Sequence, residues 1–340
     1  MTAIRDTVQA VVQAGGDPAA RMMERLERRL ATLATGHGDL LARHAGETIA
    51  AGGKRLRPLL LFLAAGAPPP ESEAVLGAAV AVELVHSATL VHDDVLDGSP
   101  LRRGRPTVMA SAGRRAATAT GDLLFARAFA ELVRSRSLRS VRVLSRASSE
   151  LAAGELMQRS DAWRAVSVER YMERCRLKTA VLFRAACELG AIEGGVGGDG
   201  AGGDGLGSDG AGGAVAGMAA FGERIGLAFQ LLDDVLDVAG PPERTGKPQG
   251  ADLLDGTVNL PLILARERDP ALRDLDLRSI VEPDAAADLC ARIARTGALE
   301  VTRARALDLV SAAKEQLPDL PSRQRAALQL IADGVVARYS

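Results

Sequence analysis

Two short clusters of aspartates share the sequence DDVLD, and each follows an apolar segment. The six residues are Asp93, Asp94, Asp97, Asp233, Asp234 and Asp237. In a helix, aspartates four residues apart face the same way, and their like charges destabilise the helix end unless something neutralises them. Mg²⁺ suits such carboxylates because it takes one or two of them and fills its other positions with water and phosphate. Two facing clusters would hold several magnesium ions, which would grip a polyphosphate and neutralise a departing diphosphate. The alternative, ordinary surface acids at two helix ends, explains one cluster better than two.

Basic residues lie near these clusters in the sequence. The stretch GGKRLRP, residues 52–58, places Lys54, Arg55 and Arg57 behind a glycine pair, and Arg102 and Arg103 follow the first cluster. The net charge of -1 provides no overall field to attract nucleic acid or an anionic membrane, so local clusters must hold any anion. Unless these arginines are simply solvated, the arrangement predicts two phosphate sites, one held through metal and one held by cations alone.

The elements that position these residues are predicted to be helices. Aromatic residues are 3% of the 340 residues, whereas alanine and leucine are abundant, a composition that favours helices over sheets. Met22, Leu26, Leu30 and Leu33 form one stripe at helical spacing, and no alternation of period two predicts a strand. The fold class is therefore predicted to be all-α. Helical patterns cover 38–51, 55–65, 71–96, 106–134, 137–158, 166–190, 214–238, 256–267, 284–296, 298–316 and 321–338.

Cysteine usage and the terminal sequence favour a cytoplasmic location. Cys175, Cys187 and Cys290 are widely separated and form no CxxC pair, which argues for a reducing compartment and against a zinc site. No run approaches the eighteen apolar residues of a membrane span. The first sixteen residues contain Asp6 and lack the basic and apolar regions of a secretory signal.

A glycine-rich run at 194–213 contains twelve glycines in twenty residues. Such a run cannot bury enough apolar surface to offset its ordering entropy. It is predicted to be a disordered loop inserted between two helices, with a linker between two domains as the alternative. Calcium binding in a stacked β-roll is a weaker alternative because the spacing is irregular.

From residue 22 to the C-terminus, the chain closely resembles the all-trans isoprenyl (polyprenyl) diphosphate synthases. The matching motifs, in order, are GGKRLRP, ELVHSATLVHDDVLDGSPLRRGRPT, LKTA, GLAFQLLDDVLD and GKPQGADLLDGTVNLPLIL. The resemblance implies a single-domain helical bundle at 21–340, usually dimeric, around a deep apolar cavity, with 1–20 as an N-terminal extension. It further implies head-to-tail trans condensation of isopentenyl diphosphate with an allylic diphosphate (dimethylallyl, geranyl, farnesyl or longer), with release of diphosphate and two or three Mg²⁺ ions.

The resemblance also implies roles for individual residues. Asp93, Asp97 and Asp233 would be magnesium ligands, with Asp94, Asp234 and Asp237 as the other members of the catalytic clusters. Positions that match isopentenyl diphosphate contacts are Lys54, Arg57, His86 and Arg103. Positions that match allylic diphosphate contacts are Arg102, Lys178, Thr179, Gln230 and Lys247, and Lys178 is also counted as catalytic. The chain departs from the pattern at Thr257, where many relatives carry a lysine.

Two small residues, Ala88 and Thr89, predict a medium- or long-chain product of more than twenty carbons. They lie five and four residues before Asp93, about 6–8 Å along a helix at 1.5 Å per residue. Short-chain relatives commonly place Phe or Tyr at one of these positions as a floor, so a growing tail should pass here. Tight helix packing is the other explanation for small residues.

Three other functions fit part of this pattern. A class I terpene cyclase shares the fold, but cyclases usually replace the second aspartate cluster and line the cavity with aromatics. A regulatory or partner subunit of a heteromeric synthase tends to lose aspartates from one cluster, and this chain keeps both. A helical scaffold would leave the aspartate and arginine positions without an explanation.

Overall fold

The computed structural model describes residues 16–35, 39–50, 53–66, 72–102, 104–196, 209–240 and 248–337. Within these ranges the regular secondary structure is helical apart from one pair of two-residue strands, which confirms the predicted all-α class.

The described residues of the N-terminal half form six helices, and hydroxyl side chains cap the starts of three of them. Their bounds are α1 Asp17–Thr35, α2 Asp39–Ala50, α3 Leu56–Ala64, α4 Glu73–Asp97, α5 Val108–Val133 and α6 Leu138–Asp161. Ser72, Thr107 and Ser137 each accept a hydrogen bond from a backbone N–H in the first turn of α4, α5 and α6. Gly98, with φ of 62°, ends α4 in the left-handed conformation that glycine adopts without strain.

The C-terminal half continues with shorter helices around one long helix, α9. The elements are α7 Val168–Cys175, a π-helical segment Arg176–Ala180, α8 Val181–Glu193, α9 Asp209–Ala239, α10 Ala251–Leu254, α11 Leu260–Arg268, α12 Pro270–Arg273, a 3₁₀ turn Leu277–Ser279, α13 Pro283–Ala294, α14 Ala298–Glu315 and α15 Ser322–Ala337. The side chain of Asn259 accepts a hydrogen bond from the backbone N–H of Leu262 and caps the start of α11.

Two hydrophobic cores organise these helices. One surrounds α4 and includes Met22, Leu26 and Leu30 of α1, so the predicted stripe is buried as expected. The other surrounds α9 and takes in α11 and α13 to α15. Each core therefore has one central helix, and each central helix ends in one of the two DDVLD clusters.

The strand pair is a difference from the sequence prediction. Strands β1 (Leu101–Arg102) and β2 (Arg105–Pro106) pair antiparallel, with Arg102 opposite Arg105. Strands of two residues are too short to produce an alternating pattern, which is why no strand was predicted. The hairpin turns the chain back after α4 and brings Arg102 towards the first aspartate cluster.

Several predicted boundaries also shift. The predicted helix at 166–190 is divided by the π-helical segment, and the one predicted at 256–267 begins later, at Leu260, as α11. α1 begins at Asp17, inside the predicted extension 1–20, and α9 begins at Asp209, inside the predicted loop 194–213. Residues 197–208 lie outside the described ranges, so the predicted disorder stays a prediction.

The expectation that no segment approaches a membrane span was wrong by length and composition, since two helices are long and apolar enough, Glu73–Asp97 and the part of α9 from Gly212 to Ala239. The fold buries 78% of the apolar window of the first and 50% of the window of the second. Both are the central helices of the two cores, and that position accounts for their apolar composition.

Candidate active site

The two aspartate clusters lie at the C-terminal ends of α4 and α9. The C-terminus of a helix carries a partial negative charge from its unsatisfied carbonyls, and carboxylates there add to it. Each end therefore requires cations from elsewhere.

In the first cluster, arginines provide this charge. Asp94 is buried, and Arg102 donates to its Oδ1 from Nε at 2.8 Å and lies 2.7 Å from it through Nη2. Asp97 is exposed and pairs with Arg159, Nη2 to Oδ1 at 2.7 Å. Burial raises the pKa of Asp93 to about 6, although the charges of Lys178 and Arg102 oppose that rise. The first cluster thus combines three carboxylates with at least three nearby cations.

In the second cluster, neutral donors hold the buried middle aspartate, Asp234. Asp234 is buried and accepts from Tyr171 Oη at 2.6 Å, from Gln230 Nε2 at 2.8 Å and from the backbone N–H of Leu260 at 3.3 Å. Burial raises the pKa of Asp234 to about 6, and these hydrogen bonds limit the rise. Asp237 Oδ1 accepts from the backbone N–H of Asp252 at 3.4 Å.

The π-helical segment connects the two clusters. Lys178 Nζ is 2.5 Å from Glu155 Oε2 and acts electrostatically on Asp93. Its neighbour Thr179 donates from Oγ1 to Gln230 Oε1 at 2.8 Å, and Gln230 in turn holds Asp234. Adjacent residues thus face different clusters, and short π-helical turns are frequent at functional sites. The sequence-predicted residues Lys178, Thr179 and Gln230 are brought together here.

Two glycines allow this close arrangement. A Cβ on Gly154 of α6 would lie 2.7 Å from the backbone N of Lys178, and one on Gly226 of α9 would lie 2.6 Å from Cα of Ala180. Both distances are shorter than a side chain permits, so only glycine lets α6 and α9 approach the π-helical segment from both sides.

Three residues at the site were not predicted from the sequence. Glu155 and Arg159 of α6 contact Lys178 and Asp97, and Tyr171 of α7 fixes Asp234. Glu155 and Arg159 are four residues apart, a spacing equally typical of a surface ion pair. No signal in the sequence separates the two possibilities.

The predicted cation site lies where α3 begins beside α4. Arg55 is buried and pairs with Glu83 of α4 at 2.6 Å and with Glu27 of α1 at 2.7 Å. Its charge is therefore used within the fold, although the sequence had grouped it with the phosphate-binding candidates. This pair ties the segment carrying Lys54 and Arg57 to α4, three residues before His86. His86 is therefore brought to the same region as both cations.

Arg57 itself is largely surrounded by protein. Its guanidinium lies 4.5 Å from the centroid of the Phe183 ring, and burial lowers its pKa to about 10. It remains charged at neutral pH, and a desolvated guanidinium interacts strongly with an anion.

The donor set fits Mg²⁺ that is shared with phosphate. Asp93, Asp97 and Asp233 are partly or fully exposed, whereas the middle aspartates are buried and bonded to protein groups. Among the described residues, no three His, Cys, Asp or Glu side chains form a group that could hold a metal ion alone. Mg²⁺ needs only one or two protein carboxylates when substrate phosphates complete its shell.

Some predicted positions stay predictions. Arg103 and Lys247 lie outside the described residues. Thr257 donates its backbone N–H to Asp252 O at 2.7 Å in the loop before α11. Of the two chain-length candidates, Ala88 is fully buried in the core around α4, whereas Thr89 is half-buried and donates to His86 O at 2.8 Å.

Comparison with known proteins identifies similar sequences and structures along most of the chain. The model of the polyprenyl synthetase family matches residues 39–294. Heptaprenyl diphosphate synthase component 2 of Geobacillus stearothermophilus is 39% identical over 250 residues, 73% of this chain and 72% of that protein. Geranylgeranyl diphosphate synthase of Methanosarcina mazei is 34% identical over 295 residues, 85% and 86% of the two chains. The crystal structure of polyprenyl synthase from Caulobacter crescentus, complexed with calcium and isoprenyl diphosphate, superposes with a TM-score of 0.84, 34% identity and coverage of 99% and 98%.

Proposed function

The chain belongs to the polyprenyl synthetase family, and from that premise we propose how its residues carry out prenyl transfer. It is a trans-prenyltransferase, and dependence on Mg²⁺ is general in its family. The proposed substrates are isopentenyl diphosphate and an allylic diphosphate. One observation carries the proposal. Core helices α4 and α9 each end in an aspartate cluster, and the adjacent residues Lys178 and Thr179 of the π-helical segment face one cluster each.

The allylic diphosphate is proposed to bind between the clusters. Asp93, Asp97 and Asp233 would hold two or three Mg²⁺ ions, which would supply positive charge to the departing diphosphate. Lys178, Thr179 and Gln230 would bind the same group from the π-helical side, and Arg102 from the hairpin. Preorganised charge of this kind stabilises the transition state most where charge gathers as the allylic C–O bond breaks.

Isopentenyl diphosphate is proposed to bind at the cation site of Lys54, Arg57 and His86, with Arg103 as a further contact. Its double bond attacks the allylic carbon and forms the new C–C bond. The proton that is then lost passes to the released diphosphate. The C–O bond that breaks is balanced by the C–C bond that forms, and the released diphosphate takes up the lost proton, so the step needs no further base.

The product is proposed to be medium or long in chain length. Thr89 lies one helical turn before Asp93 and is half-buried, so we place the growing tail against it rather than against the fully buried Ala88. Similar proteins are named heptaprenyl and geranylgeranyl diphosphate synthase, and these names do not decide between a longer and a shorter product for this chain.

The assembly is proposed to be a homodimer in the cytoplasm. A partner subunit is the second candidate function, because the similar Geobacillus protein is named as component 2 of its synthase. The presence of all six aspartates favours a chain that is active by itself.

The test is a product assay with the purified chain, Mg²⁺, isopentenyl diphosphate and farnesyl diphosphate. The expected result is a linear trans prenyl diphosphate longer than twenty carbons, with inorganic diphosphate released. A cyclic hydrocarbon would instead assign a terpene cyclase. Turnover only after addition of a second polypeptide would assign the partner-subunit function.

A further inference from the structure

Helix α6 contributes Glu155 and Arg159, which have no role in the proposed reaction, to an ion-pair chain beside the first aspartate cluster. Arg159 Nη2 is 2.7 Å from Asp97 Oδ1, and its Nε is 3.1 Å from Glu155 Oε1. The other oxygen of Glu155 is 2.5 Å from Lys178 Nζ. A continuous series of alternating charges therefore runs from the π-helical segment through α6 to the end of α4.

The side chain of Arg159 has room to move, whereas Glu155, which holds it, is fixed. The side chains of Arg159 and Asp97 are 41% and 37% exposed, while that of Glu155 is 16% exposed. Since Gly154 packs α6 against the backbone of Lys178, Glu155 is fixed close to the site. The guanidinium can thus leave Asp97 and stay attached to Glu155.

This guanidinium contacts an oxygen of Asp97 that a metal ion bound there would need. A cation can bind there only by displacing another cation, which weakens metal binding to the free enzyme. An exposed ion pair of this kind changes an equilibrium constant by up to about fivefold. When a diphosphate arrives with the metal, the displaced guanidinium gains a new anionic partner, because arginine binds phosphate oxygens readily.

We propose that Arg159 is a positioning residue that couples metal binding to diphosphate binding at the first cluster. Without diphosphate it competes with the metal for Asp97, and with diphosphate it moves to the anion. The enzyme would then load its metal mainly together with substrate. This inference rests on the proposed function, since it requires Asp97 to be a metal ligand.

The experiment measures Mn²⁺ binding to the full chain by electron paramagnetic resonance, with and without inorganic pyrophosphate. Mn²⁺ replaces Mg²⁺ as the probe because both prefer oxygen ligands. Arg159→Gln is expected to bind Mn²⁺ about two- to fivefold more tightly than the wild type without pyrophosphate. With pyrophosphate that advantage should disappear or reverse. Unchanged or weaker binding without pyrophosphate would overturn the proposal, as would an equal gain under both conditions.

The matched control is Arg146→Gln. Arg146 is an exposed arginine of the same helix and pairs with Glu188 at 2.9 Å, a contact outside the aspartate clusters. Its substitution should leave both Mn²⁺ affinities unchanged, and a shift like that of Arg159→Gln would count against a local effect at Asp97. If the wild type fails to bind Mn²⁺ even with pyrophosphate, the proposed metal site itself is wrong. Normal wild-type binding with no response to Arg159→Gln would remove only the coupling.

Discussion

The two aspartate clusters have the same five-residue sequence and different surroundings. In the first, Asp94 and Asp97 are paired with Arg102 and Arg159, two charged side chains on a hairpin and a neighbouring helix. In the second, the buried Asp234 is held by a phenol, an amide and a backbone N–H, all of them neutral. The exposed Asp97–Arg159 pair can exchange one partner for another at low cost, whereas the buried hydrogen bonds of Asp234 are costly to disturb.

This difference indicates a division of roles between the ends of α4 and α9. The first cluster is surrounded by cations that can be redistributed when metal and diphosphate bind. The second cluster is rigid, because Asp234 holds Gln230 and Tyr171 in place through hydrogen bonds. The identical pentapeptides do not show this difference, because it lies in residues outside them, of which Arg159 and Tyr171 are more than sixty residues away.

The largest expected effect tests what the clusters share. Asp93→Ala and Asp233→Ala should each lower turnover by about 10²–10³, by analogy with the loss of one transition-state donor. The reason is that each removes a ligand for the metal that stabilises the leaving diphosphate. Steady-state rates under saturating Mg²⁺ would measure this. Near-normal turnover in either variant would show that the two clusters do not act jointly.

A second prediction tests where they differ, through the free energy of unfolding. Asp234→Ala leaves three donors without this acceptor, two of them in buried hydrogen bonds, and should lower this free energy by about 1–3 kcal/mol. Asp94→Ala leaves Arg102, whose side chain is 33% exposed, free to reach water, so its cost should stay below about 1 kcal/mol. Denaturant unfolding of both variants measures the contrast. Equal losses would mean that the second cluster is no more rigidly held than the first.

Third, the glycines on the two sides of the π-helical segment should be comparably intolerant. Gly154→Ala and Gly226→Ala each force a methyl group against backbone atoms and should cost about 1–3 kcal/mol of unfolding free energy. Gly213→Ala is the matched control in α9, because nothing lies within 4 Å of the added Cβ. It should be neutral or stabilising, since alanine favours a helix over glycine. A control as damaging as the other two would remove the close-approach argument.

The smallest expected effect concerns the space one turn below each cluster. In α4 the residue one turn before the cluster is Thr89. In α9 it is Phe229, whose ring centroid is 5.6 Å from that of Phe183. If the tail passes on the α4 side, Thr89→Phe should shorten the main product by one or more five-carbon units without changing the Mg²⁺ requirement. Chromatography of the dephosphorylated products measures this.

Ala88→Phe is the companion variant. Ala88 is fully buried, so a phenylalanine there overpacks the core and should mainly lower stability. An unchanged product from Thr89→Phe together with a shortened one from Ala88→Phe would move the floor to Ala88.

The sequence predicted the all-α architecture better than it predicted the contacts around the candidate site. The motifs that contain Asp93, Asp233, Lys178 and Gln230 are local, and helical spacing places their side chains on faces that can be deduced. The roles of Arg55 and Tyr171 were missed because they depend on partners 28 and 63 residues away. The π-helical turn was also missed, since a helical pattern of period 3.6 does not show one residue of extra winding.

The joint action of the two clusters is tested most directly by counting bound metal ions. Mn²⁺ is titrated into the wild type, Asp93→Ala and Asp233→Ala in the presence of inorganic pyrophosphate, and the number of tightly bound ions is determined for each. We predict two or three ions for the wild type and at least one fewer for each variant, because both helix ends contribute ligands to one metal–diphosphate assembly. A count that stays the same in Asp233→Ala would contradict the account, since the end of α9 would then hold none of the metal.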